Sequence, residues 1–132
     1  ALYLRQGSMP ARRLIEAGVR VAVSTDFNPG SAPSYHLPLA LMLSCVRSGM
    51  TPSEALKGAT MYAAEALNLQ HATGSLEVGK SADFVLIDAP DPAHWLYHFC
   101  ANRCVATYIR GKKIYAAAKH SREIRLESDP AL

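Results

Sequence analysis

Hydrophobic positions along this chain recur first at helical spacing and later at strand spacing. Residues 8–18, Ser-Met-Pro-Ala-Arg-Arg-Leu-Ile-Glu-Ala-Gly, predict a helix with Ser8 as cap, Pro10 in the first turn and Gly18 just past its end. Val19 to Ser24 then predicts a short strand, apolar except for Arg20 and covered on both faces as in parallel α/β sheets. Thr25-Asp26-Phe27-Asn28-Pro29-Gly30-Ser31 leaves the end of that strand as a loop, with Asn-Pro-Gly as its turn. Leu37 to Ser48 is apolar nearly all round and predicts a buried helix ended by Gly49. Thr51-Pro52-Ser53-Glu54 has the form of a capping box, opening a helix with Ala55, Leu56, Ala59, Ala63, Ala66 and Leu67 on one face.

Beyond about residue 72 the period shortens. Ala82 to Asp88 predicts a strand, and Cys104 to Arg110 with Ile114 to Ala118 predicts a hairpin turning at Gly111-Lys112-Lys113. An aromatic, histidine-containing segment, Ala93 to Asn102, lies between them. Residues 119–132 show no apolar face and are expected to form a flexible tail. The order of elements predicts an α/β chain in two parts, 1–71 and 72–118, resembling the last third of something larger.

Composition narrows the function classes. With 132 residues, 49% hydrophobic and 19% charged, the chain is ordinary globular material. Fourteen basic against eleven acidic residues leave +3, with no basic run, which argues against nucleic acid or an anionic membrane as partner. No apolar stretch reaches the about 20 residues of a membrane span. No secretory leader is visible, and residue 1 is Ala, so the chain is expected to be a fragment or a processed product. Three cysteines, Cys45, Cys100 and Cys104, fit a reducing, cytoplasmic setting better than a disulfide framework.

Four places carry candidate chemistry. Residues 74–81, Gly-Ser-Leu-Glu-Val-Gly-Lys-Ser, match the phosphate-loop pattern letter for letter. That chemistry needs a strand before the loop and a helix after it. Here the order is reversed, which predicts a simple turn, with Leu76 and Val78 alternating as in a short strand. His94, His98, Cys100 and Cys104 supply four soft ligands, but at a spacing foreign to zinc fingers; packing is the plainer reading. Cys45, within the apolar helix, reads as a small hydrophobe. Asp26 is the fourth. A carboxylate opening the loop after a buried strand is where α/β barrels place catalytic groups, and it can bind a metal or accept a proton. Asn28 and Ser31 could hydrogen-bond a polar substrate, with Gly30 allowing close backbone approach. The same residues equally suit an Asx-turn.

Residues 10–18 and the run Val21-Ala22-Val23-Ser24-Thr25-Asp26-Phe27-Asn28-Pro29-Gly30-Ser31 closely resemble the imidazolonepropionases of the metal-dependent amidohydrolase superfamily. Thr51-Pro52-Ser53-Glu54-Ala55-Leu56, Ala59-Thr60, Gly74-Ser75-Leu76-Glu77, Gly79-Lys80-Ser81-Ala82-Asp83 and Tyr97-His98-Phe99 with Asn102 agree, so the similarity covers residues 10 to about 116. The Asp-Phe-Asn-Pro-Gly-Ser loop is its most specific piece.

The resemblance implies the C-terminal portion of a metal-dependent hydrolase (β/α)8 barrel, meaning its last strand and following helices, plus part of a small β-sandwich domain. It implies hydrolysis of the ring of 4-imidazolone-5-propanoate to N-formimidoyl-L-glutamate in histidine degradation, with zinc or iron as cofactor, a small-molecule substrate and a homodimeric enzyme. By position, Asp26 is implied as metal ligand and proton acceptor for the attacking water, and Asn28, Gly30 and Ser31 as substrate contacts. The family's His-x-His pair is not found in these residues, and none of His36, His71, His94, His98 or His120 stands in an equivalent context. The chain by itself is therefore expected to be inactive. The alternatives are a non-catalytic interaction module of the same origin and a phosphate-loop nucleotide binder.

Overall fold

The computed structural model describes residues 7–98 and 102–118. The 119–132 tail and Cys100 lie outside the described residues.

Helix α1 spans Ala11–Glu16, shorter than the pattern suggested. Pro10 is its cap residue and no side chain caps it; the Ser8 hydroxyl instead accepts a hydrogen bond from Arg47 at 3.2 Å. Gly18, at φ +82°, turns the chain into residues 19–24. Val21 and Val23 are buried there while Ala22 and Ser24 are exposed, the alternation of an extended segment. The predicted strand is nevertheless not formed as such. The segment pairs with no strand among the described residues, so it builds no ladder; the Val23 N–H donates instead to the Gly58 carbonyl at 3.0 Å.

Helix α2, Leu37–Ser48, ends at Gly49 in the left-handed region, as the pattern predicted. Its burial differs from expectation. Leu41 alone is fully buried and Val46 is 75% exposed, because the helix packs mainly on two neighbouring helices, Pro52–Ala59 and Pro92–Tyr97. Helix α3, Pro52–Ala59, starts at a complete capping box: the Glu54 N–H donates to Thr51 Oγ1 and the Thr51 N–H to Glu54 Oε2. The single helix predicted beyond it is broken at Thr60, whose φ of −120° and ψ of −87° separate α3 from α4, Met61–Ala66.

Three antiparallel strands follow: β1 (Phe84–Ile87), β2 (Cys104–Ile109) and β3 (Lys112–Ala116), in the order β1-β2-β3. Phe84 stacks on its register partner Tyr108 at 4.5 Å. The β2–β3 turn is Arg110-Gly111, both at positive φ, the geometry that matches strand twist in two-residue hairpins. The aromatic segment between β1 and β2 contains helix α5, Pro92–Tyr97, capped by Asp91, whose carboxylate accepts the His94 N–H at 2.7 Å.

The core joins the helical elements to the extended segment: Ala11, Val21, Val23, Leu41, Met50, Ala55 and Leu96, with Trp95 and Leu56 against it. Gly58 makes this possible. A Cβ there would lie 2.7 Å from Val23 Cγ2 and 2.9 Å from the Val21 carbonyl oxygen, so only glycine lets α3 lie directly on residues 19–24.

Candidate functional site

Asp26 follows the extended segment at φ +52°, a left-handed conformation that Asp and Asn adopt more readily than most residues. Its backbone N–H donates to Ser24 Oγ at 3.4 Å. Its carboxylate makes no hydrogen bond or ion pair among the described residues, and the residue is exposed. Asn28 organises the loop beyond it. The amide oxygen accepts the N–H groups of Gly30 and Ser31 at 3.0 and 2.7 Å, and the amide nitrogen donates to the Asp26 carbonyl at 2.9 Å. The Ser31 hydroxyl also lies 3.0 Å from Asn28 Nδ2 and 3.1 Å from Oδ1. A reciprocal pair of backbone bonds between Asn28 and Ala32 closes the loop. The Asx-turn is thus built at Asn28, and the Asp26 side chain takes no part in it.

A hollow of about 350 Å3 opens beside this loop. Asp26, Ser31, Ser34 and His36 give it polar walls, and Leu39 and Leu43 an apolar floor. Ser31 borders it, whereas Asn28 and Gly30 do not. Sequence reasoning did not single out Ser34, and set His36 aside without placing it beside this loop. The signal available was Ser-x-His immediately before a helix with Pro38 in its first turn. The Leu39 N–H donates to His36 Nδ1 at 3.0 Å, so His36 caps α2. Ser34 Oγ in turn accepts the His36 backbone N–H at 3.2 Å.

The other candidates resolve differently. In residues 74–81, Lys80 Nζ turns back onto Ser75 Oγ at 2.7 Å and Glu77 Oε1 at 3.0 Å. Helix α4 precedes this segment, β1 follows it, and residues 76 and 78 form no strand. Its backbone is a turn, without the following helix that a phosphate site requires. The His94 and His98 rings lie 4.4 Å apart, but His98 Nδ1 is 2.7 Å from the His94 carbonyl oxygen, and Cys104 Sγ contacts Thr107 Oγ1 in the sheet. Burial pushes the Cys45 thiol up from its ordinary value, which disfavours the nucleophilic thiolate.

Among the described residues no three His, Cys, Asp or Glu side chains converge. They do not by themselves enclose a metal; Asp26 offers one hard, unengaged carboxylate, suited to be a single member of a ligand set. No helix among the described residues is long and apolar enough to cross a membrane.

Comparison with known proteins decides the family. Residues 1–114 match the amidohydrolase family. The chain belongs to it. The imidazolonepropionase of Fusobacterium nucleatum subsp. nucleatum is 45% identical over 106 residues, covering 80% of this chain and 26% of that protein. That of Geobacillus kaustophilus is 46% identical over 114 residues, covering 86% of this chain and 27% of that protein. This member of the family therefore spans about a quarter of the length of these curated relatives. Among solved structures, an adenosine deaminase from Xanthomonas campestris with bound zinc superposes with a TM-score of 0.74 at 25% identity, over 85% of this chain and 29% of that one. Amidohydrolases are generally metal-dependent, and the mixed helix and strand architecture described above is an α/β amidohydrolase architecture.

Proposed function

We propose that this chain is the part of an imidazolonepropionase-like hydrolase that carries the last barrel strand and its loop. Residues 1–71 belong to a (β/α)8 barrel closed by segments other than these, and residues 72–118 to a small composite β domain. The observation that carries the reading is the Asp26 carboxylate, left free at the mouth of a loop that Asn28 holds rigid, beside a hollow of small-molecule size.

In the assembled enzyme Asp26 would hold zinc or iron as one ligand, together with histidines outside this chain. When bound, the metal supplies Lewis-acid activation of water and of the ring carbonyl of 4-imidazolone-5-propanoate. The Asp26 carboxylate accepts the proton released as water attacks and returns it to the departing ring nitrogen, giving N-formimidoyl-L-glutamate. Ser31 borders the substrate; Asn28 and Gly30, set back from the hollow, shape the loop through the Gly30 N–H bond to Asn28 Oδ1 and the Asn28 bond to the Asp26 backbone carbonyl. The substrate is a small molecule, and the setting is the cytoplasm, with two copies of the complete enzyme in the assembly.

Asp26→Asn tests this. In the protein with a full ligand set, turnover falls at least about a hundredfold, the scale of a lost acid–base group, with an unchanged melting temperature. Turnover that survives the change would remove Asp26 from the mechanism. The 132-residue chain alone is expected to show no turnover with added zinc or iron, and measurable turnover would overturn the reading that histidines outside it complete the site.

A further inference from the structure

Among the described residues the Asp26 carboxylate has no hydrogen bond or ion pair, so its direction is set by its backbone. That backbone sits at φ +52°, a well that few residues with a side chain hold without outside constraint. On the incoming side the constraint is weak. The Asp26 N–H meets Ser24 Oγ at 3.4 Å, and the last firm anchor is the Val23 N–H on the Gly58 carbonyl. On the outgoing side, the bonds of Asn28 to Gly30, Ser31 and Ala32 close a turn upon itself, and one amide bond returns to the Asp26 carbonyl. None of these bonds joins the turn to a helix.

The Phe27 ring makes that connection. Phe27 follows Asp26, and its ring stacks on that of Tyr35, with centroids 3.7 Å apart and planes at 18°. Tyr35 stands directly before His36, whose Nδ1 accepts the Leu39 N–H, and so lies next to the start of α2. That helix is seated in the core through Leu41, which is 1% exposed. The stack therefore spans the loop at its two ends and ties the residue beside Asp26 to a fixed element. Two plainer roles do not fit it. Phe27 and Tyr35 are 43% and 76% exposed and stand outside the core cluster, so the pair adds little to global stability. Neither ring lines the hollow beside Asp26, so neither reaches a molecule held there. The contact is made by ring faces and not by the Tyr35 hydroxyl.

We propose that Tyr35 is a positioning residue: by holding the Phe27 ring it fixes the backbone that leaves Asp26, and so aims the carboxylate. The proposal rests on the reading of Asp26 as the proton-accepting group, and extends it to a residue that touches neither substrate nor metal. Aim matters because a misplacement of about 1 Å can cost about a hundredfold in rate. A loosened loop still visits the productive direction, so the loss expected on removing the Tyr35 ring is smaller, about tenfold.

Tyr35→Ala and Tyr35→Phe, made in the protein with a full ligand set, test it through kinetics and hydrogen exchange. In Tyr35→Ala kcat is expected to fall about tenfold, with KM within about twofold of native and an unchanged melting temperature. Exchange of the amides of residues 28–32, followed by mass spectrometry, is expected to accelerate in the same variant. Tyr35→Phe keeps the ring and is expected to restore both readouts. Native kcat in Tyr35→Ala, or a loss that Tyr35→Phe does not restore, would overturn the proposal and leave Asp26 in its role. A rise in KM at native kcat would overturn it too, by putting the ring against the substrate. Native exchange in Tyr35→Ala would show that the stack clamps nothing. The reading of Asp26 fails separately, through turnover that survives Asp26→Asn.

Discussion

Arg12 and Glu54 are joined by two hydrogen bonds, of 3.0 and 2.9 Å, across 42 residues of sequence. The pair ties α1 to the first turn of α3, and Glu54 also accepts the Thr51 N–H at 2.7 Å. The Arg12 guanidinium, aided by that N–H, lowers the Glu54 carboxyl from 4.5 to about 2. A depressed carboxyl stabilises the folded state above its unfolded value, and that stabilisation is lost as pH falls through the folded one. Thermal melts between pH 6 and pH 2 should therefore show a loss of stability beginning near 4.5 and continuing to about 2. Glu54→Gln should be less stable at pH 6 and have a flatter profile over that window. A profile as steep as the native one would assign the acid sensitivity to other groups.

Thr51→Ala removes the hydroxyl that accepts the Glu54 N–H. Loss of such a cap costs about 1 kcal/mol. The urea midpoint should fall with an unchanged slope, because the surface exposed on unfolding is the same. A midpoint equal to the native one would mean that water replaces the cap without cost.

Gly58→Ala places a methyl group 2.7 Å from Val23 Cγ2 and 2.9 Å from a backbone oxygen. The helix gains about 1 kcal/mol of propensity, but overpacking costs about 1–3 kcal/mol, and a carbonyl oxygen cannot rotate away. The expected net result is a lower melting temperature, with the largest chemical-shift changes at residues 21–23. A rise in melting temperature would show that the extended segment is not held against α3.

Asn28→Ala removes both the acceptor for the Gly30 and Ser31 amides and the donor to the Asp26 carbonyl. The loop is exposed, so global stability should move by less than about 1 kcal/mol, since water satisfies the freed groups. Hydrogen exchange at Gly30 and Ser31 should accelerate instead. Asn28→Asp keeps the acceptor and should protect these two amides better than Ala does. Equal exchange in both variants would assign the loop's order to the Asn28–Ala32 backbone bonds alone.

Local signals were the legible part of this sequence. Gly49 ends α2, and Thr51 to Glu54 open α3, because a cap is decided by residues within one turn of one another. The hairpin was legible for the same reason, through Gly111. The extent of burial was not. Leu37 to Ser48 looks like a buried helix, yet burial depends on how many faces find neighbours, and α2 finds them mainly in α3 and α5. Thr60 gave no warning of a break, since Thr is tolerated in helices and its hydroxyl donates to the Leu56 carbonyl as it would mid-helix. At the candidate site, Asp26 and Ser31 were visible through their loop, whereas the capping place of His36 beside the hollow was not, because an imidazole that caps a helix follows no common pattern.

The left-handed backbone at Asp26 has an evolutionary consequence. Asparagine reaches φ +52° as easily as aspartate does, and the carboxylate supports no other described part of the fold. Structure alone would let a gene encoding this loop trade the acid for its amide without misfolding. If Asp26 has the proposed role, only selection on chemistry guards that one atom, and a lineage that ceased to need the reaction would be free to lose it here first and still make a well-formed protein.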